Sequence, residues 1–382
     1  MGPLQGLRIV EFAGIGPAPF CGMMLADMGA EVILIERKHD NPNTAGLVAN
    51  DRRLEFLHRG KQSIAVDLKQ AGAKQTVMKI IAGADAVLEG FRPGVMERLG
   101  LGPDECRVEN PQLVYGRMTG WGQTGPLSQA AGHDINYIAL SGALFYSGRD
   151  NSAPLAPPTL VGDIGGGAMV MVAGLLAALL SAHKTGEGQV VDAAIVDGAA
   201  YSTTLLYALF KQGHWGSARY ANALDGAAHW YDCYECADGK FVSVGALEPD
   251  FYQLLLQKLG LENDDDYARQ LDQRSWPELK RKFSALFRQK PQQDWCALLE
   301  GSDACFAPVL DFEEAAQHPH NKARDTFVDI DGVLQPAPAP RFSRTPSAAA
   351  VAPEIGEHCD AILTAAGLSA ADIEALREQG VV

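Results

Sequence analysis

The sequence predicts an α/β protein in which a parallel sheet is followed by a smaller unit of mixed α and β structure. Three observations support this fold class. Short apolar runs alternate with helical runs over residues 1–120, one long apolar run lies at 168–180, and an Asp238-Gly239 turn separates two strand-like runs later in the chain. Because parallel strands need a crossover between them, the alternation predicts a parallel sheet with crossover helices.

The N-terminal elements follow that pattern in order. Apolar runs predict strands at 7–12, 31–36, 63–68, 84–89 and 113–118, and the helical runs between them include 20–28 and 72–81. Gly29 ends the first of these helices, as glycine commonly does.

The later part of the chain contains fewer strands. A long helix is predicted at 165–184, entered through three glycines, and a strand follows at 189–195. A hairpin at 230–244 opens a smaller unit with helices at 251–259 and 279–288. The Pro-rich stretch 335–341 predicts an extended strap, and Ser369 caps a last helix at 370–379. We therefore expect a large domain at 1–200, a small domain at 225–328, and a segment at 329–382 that returns to the large domain.

The charge distribution limits the possible ligands. The chain has 32 Lys and Arg, 47 Asp and Glu, and a net charge of -15, which argues against nucleic acid as a partner. Residues 1–120 are balanced, with 14 charges of each sign, so positive groups for an anionic ligand are expected there. The alternative is an ordinary solvated surface, which composition alone favours. The candidate cations are Arg37, Arg59, Lys61, Lys69, Arg92, Arg98 and Arg117.

Targeting and membrane signals are weak. The first residues lead directly into a strand-like run, and the last residues match no peroxisomal or ER-retention tail. The longest apolar stretch has 13 residues, and a spanning helix needs about 20. We expect a cytoplasmic protein with no membrane partner.

The cysteines predict neither a disulfide framework nor a metal site. There are seven, scattered along the chain. Cys233 and Cys236 have metal-ligand spacing, but in a strand their thiols point to opposite faces, and a second cysteine pair is missing. No cluster of acidic or cysteine ligands adjoins the His318-Pro319-His320 stretch in sequence. We expect no metal.

The turn after the first strand has two interpretations. Gly14-Ile15-Gly16 follows a strand, opens a helix and is followed by an acidic residue, Glu36, as in a dinucleotide-binding fingerprint. Pro19 replaces the third glycine, and prolines remove amides that a pyrophosphate would use. A nucleotide-containing ligand without redox chemistry fits this turn equally well.

Three titratable residues are the candidate catalytic groups. His133 follows Gly132, Asp163 precedes the predicted long helix, and Glu248 lies directly before Pro249. A histidine and a carboxylate in loop-rich surroundings suit proton transfer. Each also has a structural interpretation: a core histidine, a helix N-cap and a residue of a helix first turn, respectively.

The sequence resembles the α-methylacyl-CoA racemases, within the family III CoA-transferase group (the CaiB-BaiF superfamily). The resemblance rests on motifs spread along nearly the whole chain. Among them are Leu25-Ala26-Asp27-Met28-Gly29-Ala30-Glu31-Val32, Arg59-Gly60-Lys61-Gln62-Ser63, Gly120-Trp121-Gly122-Gln123-Thr124-Gly125-Pro126, Gly132-His133-Asp134-Ile135-Asn136-Tyr137 and Gly245-Ala246-Leu247-Glu248-Pro249.

The resemblance implies the fold, the assembly and a role for each site residue. It implies a Rossmann-like large domain plus a small domain, in a homodimer of interlocked chains. His133 and Asp163 would be the acid/base pair, and Glu248 would support His133. The residues expected to hold the acyl-CoA substrate are Arg37, Val66, Asp67, Leu68, Lys69, Arg98, Gly132, Asp134 and Tyr137. No cofactor is implied, because CoA is part of the substrate.

The resemblance also implies the reaction, which is inversion of the α-carbon of a 2-methylacyl-CoA thioester without a cofactor. This reaction suits these residue types. Inverting an α-carbon requires one group to remove a proton from one face and a second group to deliver a proton to the other. The intermediate is an enolate, and the backbone N–H groups of Ile164 to Gly167 are expected to stabilise its oxygen.

Two other functions remain possible. A CoA transferase would use Asp163 as a nucleophile on the acyl-CoA, and a dinucleotide-dependent oxidoreductase would use the Gly14-Ile15-Gly16 turn. The sequence does not reveal the acyl chain.

Overall fold

The computed structural model describes residues 2–38 and 51–382, which divide into two compact units. The first unit contains residues 1–141, 157–202 and 325–382, and the second contains 142–156 and 203–324. The strands are β1 (Arg8–Phe12), β2 (Glu31–Glu36), β3 (Gln62–Ala65), β4 (Ala86–Glu89), β5 (Val114–Thr119), β6 (Val190–Ala194), β7 (Tyr231–Glu235), β8 (Phe241–Gly245), β9 (Phe306–Val309), β10 (Phe327–Ile330) and β11 (Val333–Pro336).

The α-helices connect these strands. They are α1 (Pro17–Asp27), α2 (Ala73–Ala82), α3 (Val95–Arg98), α4 (Pro103–Glu109), α5 (Asp134–Leu140), α6 (Met169–Thr185), α7 (Ile195–Ser202), α8 (Thr204–Lys211), α9 (Pro249–Leu259), α10 (Trp276–Phe287), α11 (Gln292–Leu299), α12 (Phe312–Gln317), α13 (Pro319–Ala323), α14 (Cys359–Ala365) and α15 (Ala370–Glu378). A π-helix, Leu160–Ala168, runs directly into α6.

The main sheet of the first unit confirms the predicted parallel α/β architecture. Its six strands are ordered β3-β2-β1-β4-β5-β6, and each neighbouring pair is parallel. The chain order reverses between β1 and β4. In such sheets the carboxyl ends of the strands on either side of this switch point leave a crevice where ligands bind. The topology therefore directs attention to the residues just after β1 and β4.

Apolar side chains cover both faces of that sheet. On one face α1 and α6 contribute buried residues such as Leu25 and Leu175. On the other face α2 and α14 contribute Val77 and Leu363. Strands buried on both faces explain why the predicted runs were continuously apolar.

The second unit is organised around a three-stranded antiparallel sheet. Its order is β7-β8-β9, and β7 and β8 form the hairpin predicted around Asp238-Gly239. A core rich in aromatic side chains, including Trp230, Phe283 and Trp295, packs against it.

The C-terminal segment returns to the first unit. The guanidinium of Arg59 donates to the side chain of Gln335 (2.8 Å) and to the carbonyl of Pro336 (2.9 Å). Lys38 Nζ donates to the carbonyls of Gly380 (2.8 Å) and Val382 (2.7 Å). Part of the predicted extended strap is a strand, because residues up to Pro336 pair with β10 in a two-stranded sheet. The Ser369 cap forms as predicted, with its hydroxyl accepting the amide of Asp372.

Several boundaries differ from those predicted, and one of them is that the second unit includes residues 203–224 and ends at 324 instead of spanning 225–328. The long helix begins at Leu160 instead of residue 165 and continues for 26 residues to Thr185. By length and composition alone that helix could cross a membrane, and 44% of its most apolar window is buried inside the protein. Residues 142–156 belong to the second unit, although they lie within the predicted 1–200 domain. They contain no regular strand or α-helix, so periodicity gave no sign of this excursion.

Candidate active site

A cavity lies at the carboxyl ends of β4 and β5, beside the switch point. Its volume is about 240 Å³. It is lined by residues that follow those two strands and by the segment leading into α5, namely Gly90, Phe91, Arg92, Pro93, Thr119, Gly120, Trp121, Ser128, Ala130, Ala131, Gly132, His133 and Tyr137. Three of the predicted site residues, Gly132, His133 and Tyr137, are therefore gathered at one place.

His133 occupies the N-cap of α5. Its backbone is extended, and its amide donates to the side-chain oxygen of Asn136 (3.0 Å), which fixes the start of the helix. The imidazole is exposed and borders the cavity. The interpretation of His133 as a core histidine is therefore wrong.

Asp163 lies in the first turn of the π-helix and is not the N-cap of a helix. The hydroxyl of Thr159 donates to its Oδ2 (2.9 Å). Thr159 has φ 51°, a left-handed conformation that is rare for a β-branched residue. On the other side, a Cβ placed on Gly16 would lie 3.6 Å from Oδ2 of Asp163. Asp163 therefore lies beside the turn after β1, at the switch point of the sheet.

Asp134 joins the element of His133 to the element of Asp163. Its Oδ1 accepts two backbone hydrogen bonds, from Gly162 (2.8 Å) and from Asp163 (2.7 Å). Its side chain is buried and directed at the π-helix. We expected Asp134 to hold the substrate, but its carboxylate is occupied by these amides.

The surroundings of Asp163 favour its protonated form. Burial raises the pKa of Asp163, the hydrogen bond from Thr159 lowers this pKa, the neighbouring Asp134 charge raises it, and His133 lowers it. The net direction is upward, as the two-group chemistry requires. The effect of His133 on this pKa also shows that His133 is an electrostatic neighbour of Asp163.

Tyr137 shapes the cavity wall. Its hydroxyl donates to the carbonyl of Gly132, and its ring packs edge-on against Trp121 with ring centroids 4.7 Å apart. A Cβ on Gly120 would lie 2.0 Å from the Tyr137 ring, so only glycine fits there. Burial raises the pKa of Tyr137, and the Asp163 charge adds to this. The ring therefore remains a neutral phenol near neutral pH.

The backbone donors predicted for an enolate oxygen are occupied. The amide of Ile164 donates to Thr159 O (3.2 Å), a bond that spans five residues. The same spacing continues until Met169 donates to Ile164 O. The amides of Ile164 to Gly167 are therefore used within the π-helix, and the expectation that they face the substrate is wrong.

The predicted CoA-binding residues lie at the same edge of the sheet. Arg37 directly follows β2 and is exposed. The segment Val66 to Lys69 directly follows β3. Val66 is buried, the amide of Asp67 donates to Val381 O (2.9 Å), and Lys69 is exposed. Arg98 ends α3 and is also exposed. Val66 contributes to the core, and the outward-facing groups are the cations.

The seven candidate cations fall into two groups. Arg59, Lys61 and Arg117 are buried in ion pairs with Asp27, Glu11 and Glu89, respectively. Such groups cannot reach an external ligand. The exposed members of the set are Arg37, Lys69, Arg92 and Arg98.

Glu248 belongs to the second unit. It is the N-cap of α9, and its carbonyl accepts the amide of Tyr252 (3.0 Å). Its carboxylate is exposed. Its support for His133 stays a prediction.

Sequence reasoning missed two contributors to the site. Thr159 was not a candidate, although a small polar residue four positions before Asp163 is placed to contact it along a helix. Phe91 lines the cavity next to Arg92, which was already a candidate cation, because Phe91 comes shortly after β4, the strand at the switch point. Knowing the strand order would have identified Phe91. Among the residues that the structure describes, no group of three His, Cys, Asp or Glu side chains is placed to hold a metal.

Known proteins share both the sequence and the fold. The profile of CoA-transferase family III matches residues 4–359. The alpha-methylacyl-CoA racemases of Mus musculus and Homo sapiens are 43% and 42% identical to this chain, over 99% of it and 97% of each relative. An acetyl-CoA:oxalate CoA-transferase of Acetobacter aceti is 31% identical over 88% of both chains. A crystal structure of a CAIB/BAIF family protein from Brucella suis matches with a TM-score of 0.82 and 26% identity, covering 96% of this chain and 99% of that one.

Proposed function

The chain belongs to CoA-transferase family III, and on that premise we propose that it is an isomerase that inverts the α-carbon of 2-methylacyl-CoA thioesters. One observation carries the proposal: a histidine and a carboxyl with a raised pKa lie at the switch-point edge of the sheet, on elements tied together by Asp134. Inversion needs two groups that can exchange protons, and acyl transfer does not.

The protons balance over one inversion of the substrate, and the starting state of the enzyme returns when His133 loses a proton to solvent and Asp163 takes one up. Neutral His133 removes the α-proton from one face, which leaves an enolate conjugated with the thioester carbonyl. Protonated Asp163 delivers a proton to the opposite face, so the α-carbon is inverted and the carboxylate remains. The reverse reaction starts from that state. No oxidation state changes, so the reaction requires no redox cofactor.

The exposed cations support CoA as the carrier. Arg37 follows β2, Lys69 follows β3, and Arg92 and Arg98 follow β4. An acidic chain with four exposed cations at one sheet edge can attract an anionic ligand to that edge. Glu248 is proposed to orient His133.

The experiment is deuterium exchange at the α-carbon of 2-methylacyl-CoA esters in D₂O. Wild-type protein should label and invert both enantiomers. His133→Ala and Asp163→Ala should both lose inversion, but each should still label the single enantiomer that its remaining group reaches. His183→Ala, which changes an exposed histidine on α6, is the matched control and should behave as wild type.

A CoA transferase is the second candidate, because the family also includes such enzymes. In that reaction Asp163 would attack the thioester carbonyl, form a mixed anhydride and release CoA. Hydroxylamine would then trap the acyl-aspartate, and α-deuterium would never appear. Trapping without exchange would replace the racemase proposal with this one.

We also propose that the chain forms an interlocked homodimer. None of the eight residues of α8 is buried, and Leu205, Tyr207 and Phe210 are 63%, 56% and 42% exposed. An apolar helix surface of this kind is typical of protein interfaces. Light scattering should give twice the chain mass of 40.8 kDa, and tagged dimers should exchange chains only after unfolding. A monomer at working concentration would contradict the proposal.

A further inference from the structure

Asp134 has an arrangement that substrate binding does not explain. It directly follows His133, yet its carboxylate faces away from the cavity lining and towards the π-helix. One oxygen, Oδ1, accepts the amides of both Gly162 and Asp163 at 2.8 and 2.7 Å. The residue is only 8% exposed. A buried carboxylate that accepts two backbone amides is held in one position.

Gly162 has no side chain, and this leaves room for the Asp134 carboxylate. A Cβ placed on Gly162 would lie 2.4 Å from Asp134 Oδ1 and 3.0 Å from the side chain of Ile138. Both contacts belong to α5, so any larger residue at 162 would push the π-helix away from it. Glycine at this position permits the approach, and Asp134 holds it.

We propose that Asp134 is a positioning residue that fixes Asp163 relative to His133 and does not contact the substrate. The chain between the two elements leaves the first unit as residues 142–156, so it cannot by itself set their spacing. The Asp134 bridge performs that task. The inference rests on the proposed function, since spacing matters most where two groups act on opposite faces of one carbon.

The bridge also carries charge. The negative carboxylate of Asp134 raises the pKa of Asp163, whereas Thr159 and His133 lower it. Tyr137, from the same helix as Asp134, also interacts with Asp163 and carries no charge as a phenol. An asparagine at 134 would keep an oxygen acceptor for the amides and lose only the charge. Alanine would lose both.

The test compares Asp134→Asn, Asp134→Ala and Gly162→Ala. Displacing a reacting group by about 1 Å costs about 100-fold in rate, so Asp134→Ala and Gly162→Ala should each lower kcat by about that factor. KM for the CoA ester should change by less than about twofold, since no substrate contact is removed. Asp134→Asn should retain at least about a tenth of kcat and should shift the Asp163-dependent limb of the pH-rate profile to lower pH.

The outcomes separate the possibilities. A raised KM in all three variants, or equal loss of kcat in Asp134→Asn and Asp134→Ala, would mean direct participation in the reaction and would overturn the proposal. Wild-type kcat in Asp134→Ala would also overturn it. Thermal melting of each variant checks that the fold persists, and Asp134→Asn keeps the test informative if alanine prevents folding. If wild-type protein failed to exchange any α-proton, the proposed function itself would fail, which is a different result.

Discussion

The interior of the first unit and the carboxyl edge of its main sheet, here called the ligand edge, use the same residue types for opposite purposes. In the interior, Lys61 and Glu11 form a 2.6 Å ion pair with both side chains fully buried. At the carboxyl edge of the sheet, Arg37 and Lys69 are exposed. All four residues come from the N-terminal part of the chain, where positive and negative charges balance. Charge counts therefore cannot separate structural cations from ligand-binding cations, because burial decides the role of each residue.

The buried pair ties α1 to the sheet. Lys61 Nζ also donates to the carbonyl of Pro19 (3.1 Å), and a Cβ on Gly22 would collide with the Glu11 carboxylate. Burial raises the pKa of Glu11 to about 7, despite the lowering effect of Lys61. Desolvation therefore outweighs the attraction between the two charges, as is common for buried pairs.

The largest effect is expected from breaking this pair on one side. Lys61→Met leaves Glu11 buried without a partner and should lower the free energy of unfolding by about 3–5 kcal/mol. The matched control is the double variant Glu11→Leu and Lys61→Met, which removes both charges and should recover most of that loss. Urea unfolding of the three proteins measures this. Equal stability of the single and double variants would show that the pair is not the cause.

A smaller effect on the free energy of unfolding is expected at a buried titratable residue that forms no ion pair. His229 in the second unit is fully buried, its Nε2 lies 2.7 Å from Tyr252 Oη, and burial lowers its pKa to about 3. The unfolded chain takes up a proton near pH 6.5 and the folded chain does not. Stability from this group is therefore complete above pH 6.5 and falls as the pH decreases from 6.5 towards 3. The slope is about 1.4 kcal/mol per pH unit.

Unfolding free energies at several pH values between 4.5 and 7 would measure that slope. His229→Phe should reduce the slope by the contribution of one proton, about 1.4 kcal/mol per pH unit, even if the variant is less stable overall. His58, whose pKa burial also lowers to about 3, should contribute a slope of the same sign. The exposed-histidine variant His183→Gln is the control. An unchanged slope in His229→Phe would mean that burial of the ring does not control its protonation.

At the ligand edge, the effect should appear in binding and leave stability unchanged. Arg37→Ala and Lys69→Ala should each raise KM for the CoA ester by about three- to tenfold, the size expected of one solvent-screened charge contact. Kcat should remain unchanged, and the difference should shrink as salt is added. Lys79→Ala is the matched control, because Lys79 is an exposed lysine near Arg8 and Gly83, at the amino ends of the strands. Equal effects in all three variants would show that general surface charge is responsible.

The smallest effect is expected at an exposed ion pair. Arg377 on α15 pairs with Asp360 and Glu374 in solvent. Arg377→Ala should leave the thermal midpoint within the scatter of repeated measurements, because exposed pairs are strongly screened. A clear loss of stability would contradict the rule that burial sets the importance of a charge in this protein.

Much of the sheet could be predicted from the sequence, and the physical reason is local. β2 matches its predicted bounds of 31–36, because a strand buried on both faces gives a continuous apolar run between Gly29 and the polar residues after it. The hairpin of β7 and β8 was likewise specified by its Asp-Gly turn. Contacts between segments that are far apart in sequence could not be predicted in this way. The inclusion of residues 142–156 in the second unit depends on tertiary contacts that leave no periodic pattern.

The site could be predicted in part, because some of its residues belong to local sequence motifs. His133 and Asp163 could be selected by residue type and motif, and the structure brings them to one edge of the sheet. The direction of the Asp134 carboxylate and the contact from Thr159 depend on a π-helix. Its five-residue spacing is rare and has no distinct sequence signal. The same π-helix removed the predicted amide donors for the enolate oxygen.

The return of residues 325–382 to the first unit has a consequence for synthesis. The first unit is assembled from three separated pieces of chain, so it cannot be completed until its last piece has left the ribosome. The second unit, whose main piece is residues 203–324, can close earlier. All six strands of the main sheet lie before residue 195, but until the C-terminal segment is made Lys38 and Asp67, which follow β2 and β3, lack the carbonyl partners supplied by residues 380–382. The ligand edge of the sheet is therefore complete only after residues 380–382 have been synthesised.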